Sequence, residues 1–585
     1  MEKDLQPSGS HPIVRFERIP IVKGPLSRFN GAREQILNDV VSRTTQEFSK
    51  APLDLVLGEA LYAERMRLKR NRPNVFTKHR HKGDRALWNQ VQGGLVRPSA
   101  QADRKALLDR VVRHYAEEIG GHFSDRIYQF ATHAVPFGFN WMLNAASLKH
   151  FMPWGLTQAL DQRLRILGEV PHLQALARKG TILMVPTHQS NVDSILIGYL
   201  IYLMSLPPFS YGAGLNLFSN PALSFFMSNL GTYTVDRAKR NEVYIHTLKN
   251  YSTRILREGV HSIFFPGGGR ARSGAIEKKL KLGLLGTALD AQIENYKLGK
   301  PNPNIYVVPM VVSYHFVLEA SSLIEDYLAE AGKHRFIMMD DESWQPAKVA
   351  GFFWKFFKGQ SGVSVRIGKP LDVFGNFVDE EGRSIGPNGT IIDPSRWLKT
   401  GGELKSVPQR DHEYTRALGD RIVDRFHREN VVLTSHLAAF VFFEALRDRY
   451  PDLDLYRFLR LSHEQRSLPY SEFMQKAERQ HERLLDAEKR GELHLSEELH
   501  TQNIEAWVQD GIRQLGLLHE AAVMKVGDGA VWTEDMNLLY YYRNRLTGYS
   551  LSNMAEPPGF GLSGLSGPGG PGGMRGQHDA KGFLV

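Results

Sequence analysis

The chain has 585 residues, 42% of them hydrophobic and 23% charged, with a formal net charge of +10. That length exceeds what one hydrophobic core serves, so two to four domains are expected. No cysteine is present, which excludes disulfides, a thiol nucleophile and every cysteine-ligated zinc or iron–sulfur site; the positive charge favours an anionic partner without choosing among nucleic acid, acidic lipid headgroups and phosphorylated substrates.

The opening stretch, MEKDLQPSGSHPIVRFERIP, lacks the apolar core of a signal peptide, so secretion is not expected. Residues 1–100 read as a basic, partly helical region. Within it, DLVLGEALYAERMRLKRNRP has helical apolar spacing and ends in a cluster of Arg65, Arg67, Lys69, Arg70 and Arg72, followed by KHRHKGDR at 78–85. Residues 101–170 read as helical, LLDRVVRHYAEEI most clearly.

The pattern then changes. TILMVP (181–186), SIFFP (262–266), IYVVPMVV (305–312) and VSVRIG (363–368) read as buried strands, with helical patterns between them in SILIGYLIYLM, NEVYIHTLKNYSTRILREG and LGLLGTALDAQIEN. This alternation predicts an α/β domain over 171–375, built on a central mixed or mostly parallel sheet flanked by helices. No run reaches the roughly 18 apolar residues of a spanning helix; the nearest, Ile195 to Leu206, reads as a buried helix. Residues 376–548 read as mostly helical, for example SHLAAFVFFEALRDRY, and the Gly/Pro-rich tail 549–585 is expected to be disordered.

Two stretches carry the chemistry. In VPTHQSNVDSILIGYL, His188 lies in a turn after a strand and Asp193 at the start of a helix. One reading is structural: a turn histidine, and an acid that with Ser190 resembles a capping box. The other is catalytic: a turn at the carboxyl end of a strand faces the usual ligand crevice, and a carboxylate on one imidazole nitrogen leaves the second free to take a proton from a hydroxyl. No G-x-S-x-G occurs, so a serine-hydrolase elbow is unsupported. The second stretch, FFPGGGRARSGAIEKKLKLG, follows another strand of the same domain with three glycines, Arg270, Arg272 and lysines at 278, 279 and 281. Glycines admit anions close to backbone amides and arginines bind phosphate with paired donors; a solvated surface loop is the alternative. The loop lacks the G-K-[ST] of a Walker A element.

Taken in order, these stretches resemble the glycerolipid acyltransferases, and within them the large glycerol-3-phosphate and dihydroxyacetone-phosphate O-acyltransferases. The family's H-x-x-x-x-D is matched by His188 and Asp193. Its second block is matched by GTYTVDR with Gly231 and Arg237, and its F-P-E-G-[TG]-R-x-R by Phe265 to Arg272. A downstream lysine is matched by Lys281, and an apolar strand with proline by VVPMVV with Pro309. NLLYYYRNRLTGY at 537–549 is similar to the C-terminal part of the large members. The chain departs from the pattern at Gly267, where the family carries a glutamate that helps hold the acyl acceptor.

The resemblance implies transfer of a fatty acyl group from an acyl-CoA or acyl-ACP thioester to the sn-1 hydroxyl of glycerol 3-phosphate. It implies His188 as base, Asp193 as its orienter, and Arg237, Gly268, Gly269, Arg270, Arg272 and Lys281 as substrate-binding residues. No metal or other cofactor is implied beyond the acyl thioester co-substrate, and the partners are that donor, the phosphate acceptor, acyl carrier protein as one form of donor, and a membrane surface. Basic and apolar surface without a spanning helix fits peripheral attachment at the cytoplasmic face. The alternatives are an inactive lipid-phosphate-binding homologue, marked by Gly267, and an acyltransferase for dihydroxyacetone phosphate or a lysophospholipid. A nucleic-acid-binding module would rest on charge and KHRHK alone, without the interleaved aromatics expected of one.

Overall fold

A computed structural model describes residues 20–70, 78–97, 100–132, 164–215, 221–331, 362–516, 519 and 521–551. The expectations for the first 19 residues, for Arg72, for the end of the 101–170 region up to 163 and for the tail from 552 lie outside the described residues.

At the centre is a seven-stranded sheet: β1 (Leu164–Gly168), β2 (Thr181–Pro186), β3 (Ser210–Gly214), β4 (Thr232–Val235), β5 (Ser262–Ile263), β6 (Ile305–Tyr314) and β7 (Val363–Ile367), in the order β1-β7-β6-β2-β5-β3-β4. All neighbours pair in parallel except β6 and β7. Every residue of β2 and β6 is buried, as the continuous apolar runs TILMVP and IYVVPMVVSY require of strands covered on both faces.

Strand alternation divides the core. Ile182, Met184, Tyr306, Val308, Met310 and Val312 point to one face, into a cluster with Leu196, Ile197 and Leu200 of the helix Asp193–Leu203 and with Leu437, Phe440 and Leu539 of C-terminal helices. Leu183, Val185, Ile305, Val307 and Val311 point to the other, against Leu285 and Leu289 of the helix Leu282–Lys297 and Leu418, Ile422 and Phe426 of the helix Pro408–Arg428. The period-2 register thus commits each strand to both layers at once. A third cluster joins four N-terminal helices (Phe29–Glu47, Leu53–Arg70, Lys78–Val96 and Gln101–Ile119) to Tyr233 of β4 and to Leu248 and Tyr251 of the helix Glu242–Arg257. Among the described residues no helix is long and apolar enough to cross a membrane.

Several boundaries differ from the sequence expectation. The sheet begins at Leu164, inside the stretch read as helical, because LRILG finds an edge partner in β7. SIFFP is regular strand only at Ser262–Ile263, since Pro266 and the glycines after it cannot extend a ladder. SYGAG (210–214) is a strand whose glycines hide its pattern. The basic cluster is not all surface: Arg67 turns inward to Glu64 (2.7 Å) and Asp84 (2.5 Å).

His261, at the start of β5, is buried and accepts the Ile182 N–H through Nδ1 (3.0 Å). Burial pushes its pKa down to about 4, against an ordinary value near 6.5. The neutral ring therefore adds stability that is fully present above about pH 6.5 and lost as pH falls towards 4. We expect the difference in Tm between the wild type and His261→Leu to be widest near pH 7.5 and to shrink on acidification through that window; a gap constant with pH in thermal melts would contradict it.

Candidate active site

Where β2 ends, the chain must turn beneath β6. Thr187 donates its N–H to Met310 O (2.9 Å), and its hydroxyl accepts the Val312 N–H (3.1 Å), so the turn that follows leaves the sheet at a fixed angle. His188 Nδ1–H then donates to Asp193 Oδ2 at 2.9 Å. The same carboxylate accepts the Gln189 and Ser190 N–H groups (2.7 and 3.0 Å) and, through Oδ1, the Tyr314 hydroxyl (2.5 Å). Asp193 is fully buried, and four donors satisfy its carboxylate oxygens. The capping expectation needs correction: Asp193 is the first residue of its helix and serves the preceding turn, while the N-cap position is Val192, which has no side-chain cap.

The glycine–arginine loop closes over this turn. Phe265 stacks on the His188 ring, centroids 3.9 Å apart. Ala271 N–H donates to His188 O (2.7 Å), and His188 N–H to Glu277 Oε1 (3.1 Å). Behind the turn, buried Glu319 accepts Ser190 Oγ–H (2.8 Å) and Asn191 N–H (3.1 Å), and lies 3.5 Å from Arg270 Nη1. Burial pushes the Glu319 carboxyl up, with the Arg270 charge and these hydrogen bonds acting against it. One acid thereby fixes both the catalytic turn and the first loop arginine.

The predicted binding residues divide. Arg237 follows β4 and reaches the loop, its Nη1 3.9 Å from where a side chain on Gly269 would begin. Although Arg237 keeps exposed surface, crowding and then the neighbouring Arg270 charge lower its guanidinium pKa. Two guanidinium groups are thus held near one another, a chemistry able to receive an anion. Lys281 lays its stem over Gly268, 2.9 Å from an added Cβ, and donates its N–H to Pro266 O (2.7 Å). Gly268 has φ +74, which requires glycine, but its N–H already donates to Phe265 O (3.1 Å). Arg272 turns outward to Glu330 (2.6 Å), each about half exposed, so it is not brought together with the others.

The sequence reading missed Tyr314, Glu319, Glu277 and the stacking of Phe265. Tyr314 carried a signal, since the period of β6 aligns it with the even-numbered residues on the face of β2 that leads to His188. Nothing local marked Glu319, whose role exists only in three dimensions. Also unforeseen was a pin from the C-terminus: Tyr541 O lies 2.2 Å from an added Cβ on Gly274 (φ +80), and Asn544 Nδ2 donates to Ser273 O (2.9 Å). Buried Arg545 donates to Asn430 Oδ1 (2.7 Å), Val312 O (2.9 Å) and Ser313 Oγ (3.1 Å). Beneath the segment that carries Arg237, Asp84, His114 and Glu118 lie close enough to share a metal ion, but Arg67 and Lys239 already pair with Asp84 and Glu118, which accounts for the acids electrostatically.

Residues 169–313 match the family model described as Acyltransferase. The chain is 26% identical over 312 residues to the glycerol-3-phosphate acyltransferase of Pseudomonas savastanoi pv. phaseolicola, covering 52% of this chain and 33% of that one. It is 24% identical over 269 residues to the glycerol-3-phosphate acyltransferase of Shewanella woodyi, covering 46% and 29%. The chain thus spans about a third of the length of the curated relatives it matches. Among solved structures, the 1-acyl-sn-glycerophosphate acyltransferase of Thermotoga maritima aligns over 57% of this chain and 85% of its own at 14% identity, with a TM-score of 0.24. The strand–turn–helix that carries His188 and Asp193, and the loop that carries Arg270, therefore lie in an acyltransferase domain at residues 169–313.

Proposed function

We propose that the protein transfers a fatty acyl group from an acyl-CoA or acyl-ACP thioester to the sn-1 hydroxyl of glycerol 3-phosphate. The observation that carries this reading is the His188–Asp193 pair set against the Arg237–Arg270 anion site on one edge of the sheet. With Nδ1–H committed to Asp193, Nε2 is the basic nitrogen. It takes the hydroxyl proton as that oxygen attacks the thioester carbonyl, and Asp193 supports the imidazolium. Among the described residues the amides of Gly267 and Gly269 are uncommitted, unlike that of Gly268, and supply donors to the oxyanion. Collapse of the tetrahedral intermediate breaks the C–S bond, and the imidazolium returns its proton to the departing thiolate, leaving an ester and a free thiol. The phosphate is held by Arg237 and Arg270, with Lys281 at the loop's rim. No metal or redox group takes part in these steps.

We also propose attachment to the surface of an anionic membrane. The helix Leu53–Arg70 exposes Leu55 and Tyr62, with Arg65 and Lys69 also exposed, the composition of an interfacial helix. Cosedimentation with anionic vesicles should fall between low and high salt, each basic residue contributing about 1 kcal/mol; binding indifferent to salt would refute an electrostatic attachment.

Purified protein incubated with labelled glycerol 3-phosphate and palmitoyl-CoA should form lyso-lipid, and no product with any acyl thioester would refute the transfer reading. His188→Ala should lower kcat by about 10²–10⁴-fold. Tyr314→Phe, which removes one of four donors to Asp193, should lower kcat by about tenfold while leaving the KM for palmitoyl-CoA unchanged; full turnover in either variant would overturn the assignment.

The arginines should behave differently from one another. Arg270→Ala should reduce kcat/KM for the acceptor by about 1.5–3 kcal/mol, the cost of a charge-assisted contact. Arg272→Ala, which loses only an exposed pair, should change it by less than about 1 kcal/mol. Equal losses in steady-state kinetics would mean that Arg272 turns inward when substrate binds.

A further inference from the structure

Glu277 lies in the same loop as Arg270, and the reaction above gives it no part. Its Oε1 accepts the N–H of His188 itself at 3.1 Å. Burial pushes its carboxyl upward, and among the described residues no cation pairs with it within 4.0 Å. A carboxylate placed this way is unfavourable unless further donors reach it.

The side chain also occupies a specific space. A Cβ built on Gly267 would fall 3.0 Å from Glu277 Cγ and 3.2 Å from Oε1, and its three nearest atoms all belong to Glu277. The backbone does not demand glycine there: positive φ occurs at Gly268 and Gly274, not at Gly267. A side chain at 267 would therefore press first on Glu277, which would have to shift to admit it.

We propose that Glu277 is the acceptor-specificity residue of this site, bringing from the far side of the loop the carboxylate that position 267 lacks. The proposal rests on the transfer reading given above. Glycerol 3-phosphate has two hydroxyls. His188 Nε2 takes the proton of one, and Glu277, tied to the amide of the same histidine, accepts a hydrogen bond from the other. One oxygen serves the His188 amide, and a carboxylate keeps further lone pairs for a substrate hydroxyl. A hydrogen bond accepted from the second hydroxyl discriminates against dihydroxyacetone phosphate, which presents a carbonyl there and has no proton to give.

The test uses the full chain and the variants Glu277→Ala, Glu277→Gln, Gly267→Glu and the double variant Gly267→Glu/Glu277→Ala. Glu277→Ala should lower kcat/KM for glycerol 3-phosphate by about ten- to a hundredfold through the acceptor KM, leave the KM for palmitoyl-CoA unchanged and erode the preference over dihydroxyacetone phosphate. Glu277→Gln, which can still accept the His188 N–H, should keep the wild-type Tm yet lose the same preference; a purely structural role would spare it. Gly267→Glu alone should lose activity through crowding, and adding Glu277→Ala should restore most of it. An unchanged acceptor KM and acceptor ratio in both Glu277 variants, or a double variant no better than either single one, would overturn the proposal. Failure of the transfer reading would show separately, as wild-type protein inactive with every acceptor. Calorimetry would still decide on Glu277 in that case: Glu277→Gln should weaken binding of glycerol 3-phosphate but not of inorganic phosphate, and an equal effect on both, or none, would count against it.

Discussion

The carboxylate of Asp193 is the point on which the site depends. It is sealed from solvent and draws its donors from two pieces of structure: the imidazole and two amides of the turn, and the hydroxyl at the end of β6. A buried carboxylate held by four hydrogen bonds is rigid, because losing any one leaves a buried polar atom unsatisfied. The geometry of His188 is therefore set by the sheet, through Thr187 and Tyr314, rather than by the loop in which it sits. Glu319 repeats the arrangement behind the turn, gathering Ser190, Asn191 and Arg270 onto a second buried acid. The turn of His188 and the loop of Arg270 are thereby linked through one buried acid, by hydrogen bonds on one side and an ion pair on the other.

What could be read from the sequence was whatever has a local cause. The strands read at 181–186 and 305–312 are legible because burial on both faces makes them almost continuously apolar. The helices at 242–257 and 282–297 are legible from their spacing. His188, Asp193 and Arg270 are legible because a base, its orienter and a phosphate ligand need those residue types beside turns. The strand at 210–214 was hidden because SYGAG has neither β-branched residues nor alternation, and its pairing with β4 and β5 supplies what its propensity lacks. Arg272 was indistinguishable from Arg270 on paper; only the position of Glu330 separates an outward arginine from an inward one. Glu319, Glu277 and Arg545 act across long sequence separations, and no local pattern encodes such a contact.

The net charge also has a different meaning in the folded chain. Part of the basic excess is spent internally: Arg67 is buried among Glu64, Asp84 and Asp236, and Lys239 is bound to Glu118. Because Asp236 and Lys239 flank Arg237 in the chain, this buried network holds the segment that delivers Arg237 to the anion site. The N-terminal helices thus reach the chemistry through the β4 edge, as the C-terminal helices do through Gly274 and Asn544.

The C-terminal pin has a consequence for synthesis. His188, Arg270 and Lys281 leave the ribosome more than 250 residues ahead of Asn544 and Arg545, an interval of about 13–50 s at ordinary rates of elongation. During that time the nascent chain carries the turn of His188 and Asp193 and the glycine–arginine loop, but lacks the segment that pins the loop against β6. Until then the loop lacks the contacts that Tyr541, Asn544 and Arg545 supply in the folded chain.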